Sequence, residues 1–179
     1  MKSFAFISLL ASILAGGAIA TTPLPFTCVD KEVLSTTYVG LNKDVKAEVL
    51  SCANTLATRD LVTKRQTDVC GATCNTNCFT PSGGGPNPND CQVIADALLY
   101  DGENVGPLFN ITVGTPIYMQ YASCESFFVN QVNYNLTYCR SDWSSVIDYV
   151  ALNCQAQQNA HGGNCVASDQ SWFIQVQTS

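Results

Sequence analysis

Cysteine constrains this chain more than any other residue: there are ten in 179 positions. They fall into two groups. Cys28 and Cys52 come first; Cys70, Cys74, Cys78, Cys91, Cys124, Cys139, Cys154 and Cys165 follow a Lys64-Arg65 pair. Both counts are even, so each part can close its own disulfides and leave no spare thiol. Disulfides form in the secretory pathway and outside cells, and other features point the same way. Met1-Lys2-Ser3, an apolar run over 4–14 and small residues ending Ala18-Ile19-Ala20 read as a signal peptide of residues 1–20, cut after Ala20. The apolar run is shorter than the ~20 residues a membrane span needs, and no later window reaches that length. Asn110-Ile111-Thr112 and Asn135-Leu136-Thr137 are N-glycosylation sequons. The expectation is a secreted, extracellular glycoprotein with no membrane insertion.

Residues 21–65 read as a propeptide. The spacing of Val45, Val49, Cys52 and Leu56 predicts a helix over 42–58. Thr63-Lys64-Arg65-Gln66 then offers two cations in a polar stretch, which suits the acidic cleft of a kexin-type protease. A cut after Arg65 divides the cysteines two and eight and leaves Gln66 as a new N-terminus, able to cyclise to pyroglutamate.

The expected mature domain, 66–179, carries one cation, Arg140, against nine acidic residues, a formal charge of −8. Such a surface repels phosphate backbones, which excludes nucleic-acid binding by charge neutralisation. A neutral or cationic partner fits. A chain of this size buries only about two-thirds of its unfolded surface, so disulfides matter to its stability. Their pairing among eight cysteines is open.

Cys70-Gly71-Ala72-Thr73-Cys74-Asn75-Thr76-Asn77-Cys78 has a metal-like spacing, but oxidised cysteines and a single histidine, His161, favour disulfide anchoring; no metal or cofactor is expected. A Gly/Pro-rich loop over 81–89 leads into a helix near 90–100, with Asn89 as cap, Gln92 completing a capping box, and Cys91, Ile94, Ala95 and Leu98 inward. Strands are expected over 108–113, 117–121, 126–132 and 135–140. A second helix starts at Ser141 or Asp142 and turns Trp143, Val146, Ile147, Val150 and Cys154 to one face. His161-Gly162-Gly163 reads as a loop, and 171–177 as a last strand. The class is α+β, with a mostly antiparallel sheet and two helices.

Catalytic signatures are sparse. Gly-x-Ser-x-Gly is absent. Asp101 and Glu103 make a weak glycosidase pair. The sharpest enzyme reading is a small ribonuclease using Glu103 or Glu125 as base, His161 as acid and Arg140 for phosphate, against which the acidic charge stands. In excess are aromatics and amides on the expected strands. Aromatic faces stack on sugar rings and amides bind hydroxyls, so Tyr118, Gln120, Asn133, Tyr134, Trp172 and Gln175 are the candidate ligand contacts. The competing reading is that aromatics on strands are core packing.

Several segments carry a resemblance: Pro86-Asn87-Pro88-Asn89-Asp90-Cys91 entering a helix, Val105-Gly106-Pro107-Leu108-Phe109, Ser123-Cys124 before Phe127-Phe128-Val129, and the Trp143-x-x-Val146-Ile147 helix ending at Cys154. Over roughly 70–179 the pattern resembles a secreted glycan-binding, lectin-like domain of mushrooms. That likeness implies an α-β-α sandwich, a homodimer joining sheets edge to edge, and a cleft near that interface for a glycan containing GlcNAc or GalNAc. The pattern is also similar to fungal killer-toxin and necrosis-inducing effector domains, which makes a secreted toxin or effector the alternative.

Overall fold

A computed structural model describes residues 25–55 and 66–179. The expected signal peptide, its Ala20 cut and Lys64-Arg65 lie outside the described residues.

The chain opens with a β-hairpin where a helix is expected. β1 (Glu32–Val39) pairs antiparallel with β2 (Val45–Ser51), and the chain turns through Gly40 at φ +86° and Lys43 at φ +54°. The spacing of Val45, Val49 and Cys52 satisfies a helix, but the residues between them decide the outcome. Val45, Ala47 and Val49 share one side of a strand, and Lys46, Glu48 and Leu50 the other. The β-branched Val and Thr of both arms prefer extended backbone, and Cys28–Cys52 ties the arms' outer ends.

β3 (Thr67–Asp68) and β4 (Cys74–Cys78) follow, then α1 (Pro88–Asn104), β5 (Leu108–Ile111), β6 (Ile117–Tyr121), β7 (Cys124–Asn130) and β8 (Leu136–Cys139). The second helix, α2 (Arg140–Val150), runs on as a π-helical turn over Ala151–Gln157. β9 (Gly162–Ala167) and β10 (Trp172–Thr178) complete the order. One seven-stranded antiparallel sheet runs β1-β2-β6-β7-β10-β9-β4. A small sheet runs β3-β8-β5, with β3 parallel to β8. Among the described residues the fold is α+β, mostly antiparallel, with two α-helices and five disulfides.

Both helices lie on one face of the large sheet. Ile94, Leu98, Trp143, Ile147 and Val150 pack there against Met119, Phe128, Ile174 and Val176. On the opposite face Leu50, Tyr118, Phe127, Val129 and Phe173 form a second cluster, covered by Phe26 and Cys28. The alternation of Trp172, Ile174 and Val176 with Phe173, Gln175 and Gln177 sorts β10 between those faces, as strand geometry requires.

The start of α1 differs from expectation. Its cap is Asn87, whose Oδ1 accepts from Asn89 N at 3.0 Å, and Pro88 takes the first helical position, where its missing N–H costs nothing. Gln92 bonds Asp96 rather than closing a capping box. The helix also continues past Asp101-Gly102 to Asn104. α2 begins at Arg140 without a side-chain cap. His161-Gly162-Gly163 is the entry to a strand. A Cβ at Gly163 would meet Cys154 Sγ at 2.7 Å and Asn77 O at 2.8 Å, so glycine here serves close packing rather than a loop.

Every cysteine among the described residues is paired: Cys28–Cys52, Cys70–Cys139, Cys74–Cys165, Cys78–Cys154 and Cys91–Cys124. The division is two and eight, with no bridge between 25–55 and 66–179. Cys70, Cys74 and Cys78 thus reach three different elements as disulfide sulfurs, which hold no thiolate for a metal. No helix among the described residues is long and apolar enough to cross a membrane.

Candidate functional site

The six expected ligand residues do not converge. Trp172 is 0 % exposed and stacks on Phe128 at 5.5 Å. Gln175 is also 0 % exposed; its Oε1 accepts from Phe26 N at 2.7 Å and its Nε2 donates to Phe26 O at 2.9 Å. Tyr118 is 4 % exposed, lies under Lys31 Nζ at 4.3 Å, and donates its hydroxyl to Glu125 Oε2 at 2.9 Å. Burial, and then the Glu125 carboxylate, push the Tyr118 hydroxyl well above the ordinary tyrosine value. Gln120 is half-buried on β6, opposite Lys46 and Glu125. Asn133 and Tyr134 are half-buried between β7 and β8, and Tyr134 leans on the main core. In this arrangement Trp172, Tyr118 and Gln175 serve packing and internal bonding, and present no surface to a sugar.

The ribonuclease set is likewise dispersed over structural tasks. Glu125 is buried and bonded to Tyr118 and Gln177. Arg140 Nη1 donates to the carbonyls of Gly106 at 3.0 Å and Leu108 at 2.6 Å. His161 Nδ1 sits 2.7 Å from Pro81 O. Glu103 is exposed in the last turn of α1. Asp101 of the glycosidase pair is buried and accepts from Gly40 N at 3.2 Å.

A different cleft has the composition the sugar reading calls for. It lies between the edge strand β4 and the outer side of α2, with a volume of about 550 Å³. Asn75 and Thr76 line one wall; Ser145, Val146, Tyr149 and Asn153 line the other. Ser145, Tyr149 and Asn153 recur at i, i+4 and i+8, which stacks them along one helix face. The floor is the Cys74–Cys165 disulfide, to which Thr76 Oγ1 donates at 3.3 Å. Tyr149 is 58 % exposed. No charged residue lines the cleft.

Two of the other hollows among the described residues differ in character. One of about 310 Å³ holds Phe26, Phe173, Asn54, Asn130 and Gln131, and two of its three amides are engaged. Asn54 bonds Val29 and Thr27, and Asn130 bonds Ile111, Tyr134 and Val132. The other, about 230 Å³, lies between the hairpin and the helices and is mostly apolar, with Arg140 and Asp101 at its border.

Sequence reasoning missed the β4–α2 cleft because it sought aromatics on strands. A signal was present: Tyr149 falls off the stripe formed by Trp143, Val146, Ile147 and Val150, so an aromatic had to face outward on α2. The sequons fall elsewhere. Asn110 on β5 and Asn135 before β8 are exposed on the small sheet.

No known protein family matches the chain, and no curated protein matches it either.

Proposed function

We propose that this is an exported carbohydrate-binding protein without catalysis, and that the β4–α2 cleft is where a neutral, amino-sugar-containing glycan sits. The observation that carries the reading is the cleft's make-up: an exposed Tyr149 beside Asn75, Thr76, Ser145 and Asn153, with no charge among its walls. A ring for the apolar face of a pyranose, next to the Asn75 amide, which can donate and accept, and to the Thr76 and Ser145 hydroxyls, which donate to Cys165 Sγ and Ser141 O and are left to accept, suits an uncharged polyol. The likeness of 70–179 to secreted lectin-like domains of mushrooms points to the same ligand class. Five disulfides and two sequons fit export.

The test is a glycan array probed with the secreted protein. Binding to a neutral amino-sugar glycan is expected, with Tyr149→Ala at least tenfold weaker and its circular dichroism unchanged. Absence of binding to any such glycan at high protein concentration defeats the proposal. Binding that survives Tyr149→Ala moves the site out of this cleft.

A further inference from the structure

The hairpin of β1 and β2 carries no cross-link to residues 66–179, yet three of its surfaces are fitted to them. Along the sheet, β2 forms a ladder with β6, Lys46 facing Gln120 and Val49 facing Ile117. The ladder continues with Leu50 N donating to Pro116 O at 2.9 Å. Beneath the sheet, buried Leu50 completes the cluster of Tyr118, Phe127 and Phe173, and the Phe26 ring meets Phe127 at 5.8 Å and Phe173 at 5.6 Å. Gln175 there treats Phe26 as a strand partner, bonding both its N–H and its carbonyl. Above the sheet, Gly40 donates to Asp101, and a Cβ at Gly40 would fall 2.8 Å from that of Ala97.

We infer that residues 25–55 are a separable strand-adding partner for 66–179, and that the two stay associated as distinct chains once the backbone between them is cut. The docking surface is the β6 edge together with the Phe127–Phe173 face. This is recognition by strand addition: main-chain bonds along the edge, with pockets for alternate side chains. The occupant follows from what the surface lacks without it. A bare β6 would present unpaired N–H and C=O groups, Gln175 would lose both bonds to Phe26, and a row of aromatics would face water. The hairpin's own disulfide keeps it closed as a unit, and all four remaining disulfides lie within 66–179. The glycan cleft is at the β4 end of the sheet and the hairpin at the β2 end, so either reading can fail without the other.

The full chain, with residues 58–63 replaced by a sequence-specific protease site, is cut and examined at micromolar concentration. Two bands on a non-reducing denaturing gel and a single native peak containing both are expected. Leu50→Asp in the same cut protein should release the hairpin fragment. Phe26→Ala, which leaves the ladder in place, should weaken the association at least tenfold by dilution. A wild-type hairpin that separates unaided overturns the inference, as do fragments that stay joined in non-reducing denaturant. Association insensitive to both substitutions overturns the assigned surface.

Discussion

Replacing Gln175 with leucine tests whether the hairpin is held as an independent unit. The amide is fully buried and makes two bonds of normal length to the Phe26 backbone, at 2.7 and 2.9 Å. Each is worth about 1 kcal/mol net, and a partly buried N–H left without a partner adds about 1 kcal/mol or more. A leucine on this apolar face returns part of that, on the order of 1 kcal/mol. The balance is a loss of about 2 kcal/mol from hairpin docking, or roughly 30-fold in its local opening equilibrium. Native-state hydrogen exchange on the uncut protein reads this directly. The β2 amides bonded to β6 should exchange roughly 30-fold faster, while those of β9 and the helix α1 hold their protection. Equal acceleration in β2 and β9 would refute the independence of the hairpin. No change in β2 would show that the Gln175 pair contributes nothing.

Other outcomes follow from charge and packing. Burial works to raise the Glu48 carboxyl, but Lys46 at 2.8 Å and Lys31 at 3.3 Å outweigh it and hold the group below its ordinary value. Its stabilisation is therefore complete above the ordinary carboxylate value of about 4.3 and fades as pH falls through the lower folded value; Glu48→Gln should flatten that acid limb in denaturant titrations. Asp148 is the opposite case, raised by burial, partly countered by Gln92, and raised again by Asp96. Its native form favours the proton, so stability declines as pH rises through the folded value, and Asp148→Asn should stabilise at neutral pH by a few tenths of a kcal/mol, up to about 1, measured as a higher Tm. Replacing both Cys28 and Cys52 with serine opens a loop of 24 residues and should cost about 3 kcal/mol, seen first as lost β2 protection. Ile147→Ala, fully buried on the sheet-facing side of α2, should cost about 2–5 kcal/mol in global unfolding.

Much of the domain was legible where pattern and burial coincide. Ile117, Met119 and Tyr121 alternate with Tyr118 and Gln120, and β6 stands where that alternation puts it. The stripe of Trp143, Ile147 and Val150 is the buried face of α2. The hairpin was misread because Val45 and Val49, four apart, fit the helical and the strand period alike, and the partner that selects one of them, β6, lies some seventy residues away. β9 was hidden by Gly162 and Gly163, which look like a turn, but Gly163 is small so that the Cys154 sulfur can approach and Gly162 so that the Val176 carbonyl can. Trp172, Tyr118 and Gln175, three of the expected ligand residues, are buried for a related reason. Aromatics and amides on strands can face either side of a sheet, and here both sides are covered, one by helices and the other by Phe26. An aromatic on the outward side of a helix has no such cover.

The strand order also bears on how the chain is assembled as it is synthesised. The hairpin emerges before the other strands of its sheet and can close its disulfide locally, but β6, the neighbour it needs, comes only after α1 and β5. β10, between β7 and β9 near the middle of the sheet, is made after both of its neighbours. Contacts this distant in sequence form slowly. The early hairpin therefore waits with an unpaired β2 edge until β6 has been made, some seventy residues later, and that interval is when its exposed strand can pair wrongly.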